Sequence, residues 1–219
     1  SHYDFLGAIE NFFSKCAPAM FMGWSNLNFD RRMFHFNFFK GNRYPYATHS
    51  SPNSEHDGLH IARAAQTLNS ETLKTELTEA GNPSLALESL SRMQGFDTSA
   101  SHTAYVDAQN SLKVLRIIRD KHKENWQTFL KTSTKPSVET ILKSDGIYSI
   151  FENVKGRNMM YLVSTLHPNQ CFHPSYASWG YAWDCRRDPE PLLNLPINQL
   201  RDVLKKMSPK ALRVLKTNK

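Results

Sequence analysis

A polar segment that runs into an amphipathic one most constrains how this chain can fold. Small polar residues come first, and after them the apolar residues recur at three- and four-residue spacing, at Ala108, Leu112, Leu115 and Ile118. This spacing predicts a helix that ends near His122 and has one apolar stripe. His102 then lies at or just before the start of the helix, and Asp107 lies in its first two turns.

The two titratable residues at this predicted helix start suit the metal-assisted hydrolysis of a phosphodiester. The unpaired N–H groups and the positive end of the helix dipole keep a carboxylate such as Asp107 ionised. That carboxylate can hold a divalent cation, while His102, one turn away, is placed to take a proton from water. A histidine five residues before an aspartate also occurs in helices that have no site, so a purely structural role stays open.

A second candidate site follows a predicted buried strand. Residues 17–24 form a continuous apolar run, which is typical of a strand in a mixed or parallel sheet. Asn26, Phe29 and Asp30 come directly after it, at the edge where ligands collect in open α/β sheets. Asp30 could share a metal with Asp107, and Phe29 could stack on a base. The same three residues also suit a turn cap, a core position and a helix cap.

The remaining pattern predicts a mostly helical first part and a stranded second part. Helices are predicted at 4–16, after Asp30 through Lys40, and at 60–68, 84–94 and 124–130, with Ser84 as an N-cap and Gly95 as a stop. Residues 131–137 are polar and contain Pro136, which favours a linker. Strands at 147–154, 159–166, 177–184 and 211–215, with a helix at 199–207, then suggest a small barrel.

The charge of the chain favours a polyanionic partner. The formal net charge is +7, and residues 136–219 contain 12 Lys and Arg against 7 Asp and Glu. Nucleic acid is the first partner that such an excess suggests, although a mildly basic protein can simply be soluble. Aromatic side chains alternate on one predicted strand face, where they could stack on bases or fill a barrel core. These aromatics are Trp179, Tyr181 and Trp183, and the cations placed to hold phosphates are Arg186, Arg187 and Lys155.

The cysteines predict a reducing, cytoplasmic setting. Three scattered cysteines make no disulfide framework, no signal-peptide pattern is visible, and no apolar run has the length of a membrane span. One group of residues has the side-chain types that zinc prefers, although its last spacing matches no established ligand pattern. This group is His167, Cys171, His173 and Cys185. The chain also starts at Ser1, which is not an initiator residue, and the helix predicted at 4–16 has no element before it, so we expect the chain to be a piece of a longer protein.

Four motifs in fixed order carry a specific resemblance to a known family. They are residues 23–30 (GWSNLNFD), 53–64 (NSEHDGLHIARA), 84–90 (SLALESL) and 102–107 (HTAYVD). This order resembles the DEDDh exonucleases of the DnaQ-like, ribonuclease H-like class, and within that class the bacterial exodeoxyribonuclease I family. Residues 177–184, 191–195 and 212–219 resemble the Src homology 3-like barrel domain of that family.

The resemblance implies an α/β fold with a partial ribonuclease H-like exonuclease domain at 1–131 and a Src homology 3-like barrel at 132–219. It also implies Mg²⁺ as cofactor, with Mn²⁺ as a substitute, and single-stranded DNA as substrate, with a protein partner at the barrel as a further option. Asp30 resembles the carboxylate of the second motif, Asp107 the last metal-binding carboxylate and His102 the general base. Phe29 and Asn26 resemble residues near the 3′-terminal nucleotide, and Asp57 resembles a supporting residue that caps the next helix.

Two departures from the family pattern affect the expected activity. The first motif of the family, Asp-x-Glu, has no counterpart before Asn26, and the one Asp-x-Glu in the chain is Asp188-Pro189-Glu190. The closing helical domain of the family is also without a counterpart. The chain is therefore either part of an active 3′–5′ exonuclease or a degenerate relative, which binds single-stranded nucleic acid or docks onto another protein.

Overall fold

A computed structural model describes residues 1–99, 103–144, 146–165 and 179–216 of the chain. The chain divides into two compact units, Ser1–Ser133 with Lys155–Arg157, and Thr134–Val154 with Asn158–Lys219. The first unit contains α1 (His2–Cys16), β1 (Met20–Gly23), α2 (Asp30–Lys40), β2 (Ser54–Asp57), α3 (Gly58–Leu68), α4 (Leu87–Met93), α5 (Ala104–Lys121) and α6 (Lys123–Lys131). The second contains α7 (Lys135–Lys143), β3 (Ile147–Val154), β4 (Arg157–Thr165), β5 (Trp179–Asp184), α8 (Glu190–Leu193), α9 (Ile197–Ala211) and β6 (Leu212–Lys216).

The first unit contains a two-stranded parallel sheet. β1 and β2 pair in parallel, with Met20 opposite Ser54 and Gly23 opposite Asp57. Parallel neighbours need a crossover connection, and α2 lies in the connection between the two strands. The carboxyl ends of both strands therefore lie side by side, where the chain turns into α2 and α3.

The main core of the first unit joins α3, α4 and α5. Ile61, Leu90 and Ile118 are each at most 2% exposed, and Trp24, which follows β1, packs against the same cluster. The helix predicted up to His122 is confirmed as α5. The apolar stripe predicted for it is wrong in its first half. Leu112 of that stripe is half exposed, whereas Val114, which is not part of it, is buried. Leu115 and Ile118 are buried as the spacing predicts.

An aromatic cluster joins α1, β1 and α2. The ring of Phe13 lies 4.8 Å from that of Phe21, 5.6 Å from that of Phe34 and 6.3 Å from that of Phe38, measured between centroids. Leu6 of α1 completes the buried part of the cluster. These contacts place α2 against α1, and they use only one face of α2.

The second unit is built on a four-stranded sheet in the order β3-β4-β5-β6. β4 pairs antiparallel with β5, and β5 pairs antiparallel with β6. Tyr161, Val163 and Ala182 form the buried centre of the sheet. In the part of the chain that is described, β3 and β6 are the edges of an open sheet and no closed barrel is formed. The Src homology 3-like barrel therefore stays a prediction.

Two local predictions need correction, each for a local physical reason. The boundary between the two units, Ser133 and Thr134, lies inside the linker predicted at 131–137. The segment is not an extended linker, however, because α6 runs to Lys131 and α7 begins at Lys135. Pro136 lies in the first turn of α7, where a missing N–H is tolerated, and Thr134 caps that helix. Ser84 is not an N-cap either, since α4 begins at Leu87 after Ala86.

Most of the other helices and strands agree with the prediction to within a few residues. Gly95, the predicted stop after α4, has a positive φ of 75°. Gly81 and Gly156 also have a positive φ, of 72° and 82°. Such a backbone conformation favours glycine over residues that have a Cβ. Among the described residues, no helix combines the length and the apolar character that crossing a membrane would require.

Candidate active site

The loop that connects β1 to α2 is held by a buried carboxylate of β2. Asp57 has no exposed surface, and its carboxylate accepts hydrogen bonds from the backbone N–H of Ser25 at 2.8 Å and of Leu27 at 3.4 Å. It also accepts from the N–H of Leu59 at 2.9 Å and so caps α3, as the sequence predicts. One side chain therefore fixes both the loop after β1 and the start of the helix after β2.

The start of this loop requires a glycine. A Cβ on Gly23 would lie only 2.9 Å from the Cβ of Asn26, which is closer than real Cβ contacts come. Ser25 has a φ of 58°, in the left-handed region. The chain therefore turns sharply where β1 ends, and the turn brings Asn26 under the loop.

A second buried carboxylate of β2, that of Glu55, holds both ends of the loop. Its Oε1 accepts from Nδ2 of Asn26 at 3.1 Å, and its Oε2 accepts from Nε of Arg31 at 2.7 Å. The N–H of Arg31 in turn donates to the carbonyl oxygen of Asn26 at 2.9 Å. Asn26 is itself only 6% exposed. Its side chain donates to Glu55 of β2 and its carbonyl oxygen accepts from Arg31, and its contact with a nucleotide stays a prediction.

Phe29 and Asp30 are presented to solvent at the top of this anchored loop. Asp30 is the first residue of α2 and is exposed, and the side chain of Phe29 is 67% exposed. The positive end of the α2 dipole lies beside this carboxylate. The arrangement offers an anionic oxygen ligand with an apolar ring beside it.

Asp107 lies in the first turn of α5 and is half-buried. Its N–H donates to the carbonyl oxygen of Thr103 at 3.0 Å, within the first turn of the helix. His102 lies outside the described residues. The middle of α5 is in contact with the strand ends, because Leu115 lies 3.5 Å from where a Cβ of Gly58 would stand. Asp107 is eight residues before Leu115, or about 12 Å along the helix axis.

The donor atoms that the site offers suit a hard cation. Mg²⁺ prefers carboxylate oxygens, keeps several waters and is often held by one or two carboxylates together with substrate phosphates. Asp30 and Asp107 each carry such oxygens, so their chemistry fits Mg²⁺ or Mn²⁺, and their sharing of one metal stays a prediction. In the described part of the chain no three His, Cys, Asp or Glu residues come together to hold a metal ion. A two-metal site would thus need ligands in addition to this pair.

Several histidines near the loop are held neutral. Burial, and then the Arg31 guanidinium, lowers the pKa of His35 and of His49. Burial also lowers the pKa of His56, although its hydrogen bond to the carbonyl oxygen of Phe129 opposes the change. At neutral pH the positive charge beside the loop therefore comes from arginine.

Sequence reasoning missed the roles of Glu55 and Arg31. The signal that was available is the acidic pair at alternate positions of a strand, Glu55 and Asp57, because residues two apart point to the same face.

The aromatic residues of the second unit that were predicted to bind nucleic acid lie in different environments. Tyr181 is half-buried in β5, and the side chain of Trp179 lies outside the described part. Trp183 is 9% exposed, packs on Leu192 and donates through Nε1 to the carbonyl oxygen of Arg187 at 2.7 Å. Trp183 is thus a core residue, in line with the alternative prediction for this strand face.

The three predicted phosphate-binding cations differ in how they are paired. Arg186 donates from two nitrogens to the buried carboxylate of Asp184, at 2.9 and 2.6 Å, and its guanidinium lies 4.6 Å from the ring centroid of Tyr161. This pairing raises the pKa of Arg186. Arg187 and Lys155 are exposed, the latter in the turn between β3 and β4. Binding of phosphates by these residues stays a prediction.

The predicted zinc group lies mostly beyond what the structure shows. His167, Cys171 and His173 are outside the described residues, and Cys185 is an exposed free cysteine. Zinc binding by this group stays a prediction.

Comparison with known proteins shows similarity to one kind of nuclease. No family model matches the chain. Exodeoxyribonuclease I of Haemophilus influenzae is 25% identical over 182 residues, which are 82% of this chain and 38% of that protein. Exodeoxyribonuclease I of Buchnera aphidicola subsp. Baizongia pistaciae is 25% identical over 203 residues, which are 89% of this chain and 40% of that protein. The chain thus spans about two fifths of the length of these relatives.

A solved structure shows the same fold. Exonuclease I of E. coli, in complex with a dA16 oligonucleotide, superposes with a TM-score of 0.73 at 20% identity. The superposition covers 99% of this chain and 48% of that chain. The α/β fold is thereby confirmed, and the two sequence relatives confirm the resemblance inferred from the four motifs.

Proposed function

We propose that this chain, which is homologous to part of exodeoxyribonuclease I, belongs to an enzyme that removes nucleotides from the 3′ end of single-stranded DNA. One observation carries the proposal. Phe29 and Asp30 stand exposed where β1 ends, on a loop that two buried carboxylates of β2 hold in place. Such a fixed pair, an apolar ring beside a metal-binding oxygen, suits a terminal nucleotide and its phosphodiester.

The candidate site residues of this chain have separate roles in this proposal. Asp30 and Asp107 hold Mg²⁺, which when bound supplies Lewis-acid polarisation of the phosphate and lowers the pKa of water. His102 takes the proton of the attacking water, whose oxygen forms the new bond to phosphorus as the bond to the 3′ oxygen breaks. Phe29 stacks on the terminal base and orients it.

The two carboxylates of this chain need support from others. Two-metal hydrolysis holds cations about 3.5–4 Å apart, which requires more ligands than Asp30 and Asp107 provide. We do not assign this task to Asp188-x-Glu190, which belongs to the second unit and opens α8, where the Asp188 carboxylate accepts from the N–H of Glu190. We propose that an Asp-x-Glu strand outside these 219 residues completes the site.

The second unit contributes substrate contacts in the same proposal. We assign it the role of the Src homology 3-like domain, with Trp179, Tyr181 and Arg187 as residues that bind the single-stranded DNA. Arg186 serves less as a phosphate ligand, because Asp184 already neutralises it. A cytoplasmic location, favoured by the scattered cysteines, belongs to this proposal as well.

The test compares the 219-residue chain with the same chain co-expressed with an Asp-x-Glu strand. A 5′-labelled single-stranded oligonucleotide is incubated with Mg²⁺ or Mn²⁺ and resolved on a sequencing gel. We expect little degradation by the chain alone and a 3′–5′ ladder from the completed enzyme. Asp107→Asn and Asp30→Asn should abolish the ladder and His102→Ala should weaken it sharply, whereas Asp188→Asn, the matched control, should leave it unchanged.

Two outcomes would contradict parts of this assignment. Robust degradation by the isolated chain would show that no further carboxylates are required. A completed protein that binds single-stranded DNA tightly but never cleaves it would favour the alternative of an inactive binding module.

A further inference from the structure

α2 presents aromatic side chains on two opposite faces. Its inner face buries Phe38 and Phe34 in the aromatic cluster with α1. Its outer face exposes Phe36 to 63% and Phe39 to 77% of their surface, and Met33 to 49%. Exposed apolar side chains that cluster on one face, unlike scattered single ones, mark interaction sites, so the outer face of α2 indicates a binding surface.

The outer face borders a groove with a fixed opposite wall. Phe36 and Phe39 line one side of an open groove of about 330 Å³, and Pro45 and Tyr46 line the other. Tyr46 is held by edge-to-face contact with the ring of His35, at 5.1 Å between centroids. The groove is therefore a preformed slot between aromatic rings, which suits flat apolar groups.

The charge of the groove is positive and comes from one arginine. Arg32 lines the groove, and among the described side chains it pairs with no carboxylate, whereas its neighbour Arg31 is paired with Glu55. His35 also lines the groove, but burial and the nearby Arg31 lower its pKa. Aromatic rings beside an available guanidinium are what unpaired bases and their phosphates require.

The position of the surface links it to the candidate active site. Residues 29, 32, 36 and 39 follow one another at helical spacing, so the exposed side of α2 runs from Phe29, beside Asp30, for about 15 Å to Phe39. A strand whose 3′ end lies at Asp30 would thus meet the surface next. An apolar peptide would use the rings but not Arg32.

We propose that Phe36, Phe39 and Arg32 form a binding surface for unpaired nucleotides upstream of the scissile one. The inference rests on the proposed function, because it takes single-stranded DNA as the ligand. The rings stack on bases, and Arg32 binds a phosphate between them. The residues act on affinity and not on the chemical step.

The test measures the binding of a fluorescein-labelled dT oligonucleotide by anisotropy, with EDTA present so that no hydrolysis occurs. The full 219-residue chain is compared with Phe36→Ala/Phe39→Ala. The matched control is Phe5→Ala/Phe12→Ala on α1, whose rings are 62% and 61% exposed. Loss of a stacking contact weakens binding roughly five- to a hundredfold. We expect that loss from the α2 variant, none from the α1 variant, and unchanged melting temperatures for both.

Two further variants separate stacking from a general loss of apolar surface. Phe36→Trp should keep the affinity, and its indole fluorescence should be quenched when a base stacks on it. Arg32→Gln should reduce the slope of log affinity against log salt by about one.

Three other outcomes would overturn the proposed binding surface, and they differ in what they mean for the proposed function. Equal affinity of all variants, with tight binding by the unaltered chain, overturns the surface and leaves the proposed function intact. Failure of the unaltered chain to bind any single-stranded oligonucleotide at low salt overturns the proposed function as well. A dimer that becomes monomeric in Phe36→Ala/Phe39→Ala would show that the surface binds a second copy, and it would also overturn the inference.

Discussion

The Nε atom of Arg31 lies 2.7 Å from Oε2 of Glu55, across 24 residues of sequence. The Glu55 side chain is 5% exposed, so the carboxylate of this ion pair is almost completely shielded from solvent. Because Glu55 also accepts from Asn26, it ties together the two ends of the loop that presents Asp30. The geometry of the candidate active site thus depends on a carboxylate that would itself touch neither metal nor substrate.

The first prediction concerns this anchor. We expect Glu55→Gln to lower the free energy of unfolding by about 3 kcal/mol, because it leaves the Arg31 guanidinium half-buried without a counter-charge. Urea unfolding followed by circular dichroism measures the change. Glu79→Gln, at an exposed position, is the matched control and should change the stability by less than about 0.5 kcal/mol. Equal effects of the two substitutions would show that the ion pair contributes nothing.

The second prediction concerns the core of the first unit. Ile118→Ala should destabilise the chain by about 2–5 kcal/mol, because Ile118 is fully buried between helices and the change leaves a cavity. Leu112→Ala on the same helix should cost far less, since Leu112 is 49% exposed. Comparison of the urea midpoints checks this. A larger effect at Leu112 would show that Leu112 lies on the buried face of α5, as the sequence spacing predicts.

The third prediction concerns pH. Burial lowers the pKa of His56, so in the folded chain this ring binds a proton less readily than in the unfolded chain, where the pKa is about 6.5. Stability should therefore fall as the pH falls below about 6.5, by at most about 1.4 kcal/mol per pH unit for this group. His35, His49, His60 and His122 have lowered pKa values too and act in the same direction.

Urea midpoints between pH 7.5 and 5.5 measure this effect. His56→Gln should flatten the dependence, while His2→Gln, at an exposed position, should leave it unchanged. A midpoint that rises as the pH falls would contradict the assignment of neutral buried histidines.

The fourth prediction concerns salt. The excess of cations in residues 136–219 should make single-stranded DNA binding weaken steeply with salt, because each neutralised phosphate releases a counterion. We expect tighter binding of single-stranded than of double-stranded oligonucleotides, since only unpaired bases can stack on aromatic rings. Titrations at several salt concentrations check both points. A flat salt response, or equal affinity for the two forms, would argue against nucleic acid as the partner.

The sequence located most elements because their signals are local. The spacing of Leu115 and Ile118 predicted α5, and the apolar run before Gly23 predicted β1. The prediction for Pro136 was wrong because its signal is not unique. A proline can end a helix or lie in the first turn of the next one, and here the N-cap at Thr134 places it in the first turn of α7. The turned stripe of α5, with Val114 buried and Leu112 exposed, likewise depends on which helices lie beside it.

The sequence by itself determined the order of the motifs, and with it the α/β fold and the similarity to exodeoxyribonuclease I. Residue spacing and motif order are properties of one chain read along its length. Only the tertiary structure decided that Glu55 and Asp57 hold the loop of Asp30, that Asn26 is buried beneath it, and that Trp183 is core. These roles arise from contacts between residues far apart in sequence, such as the 29 positions between Asn26 and Glu55, and no local pattern records them.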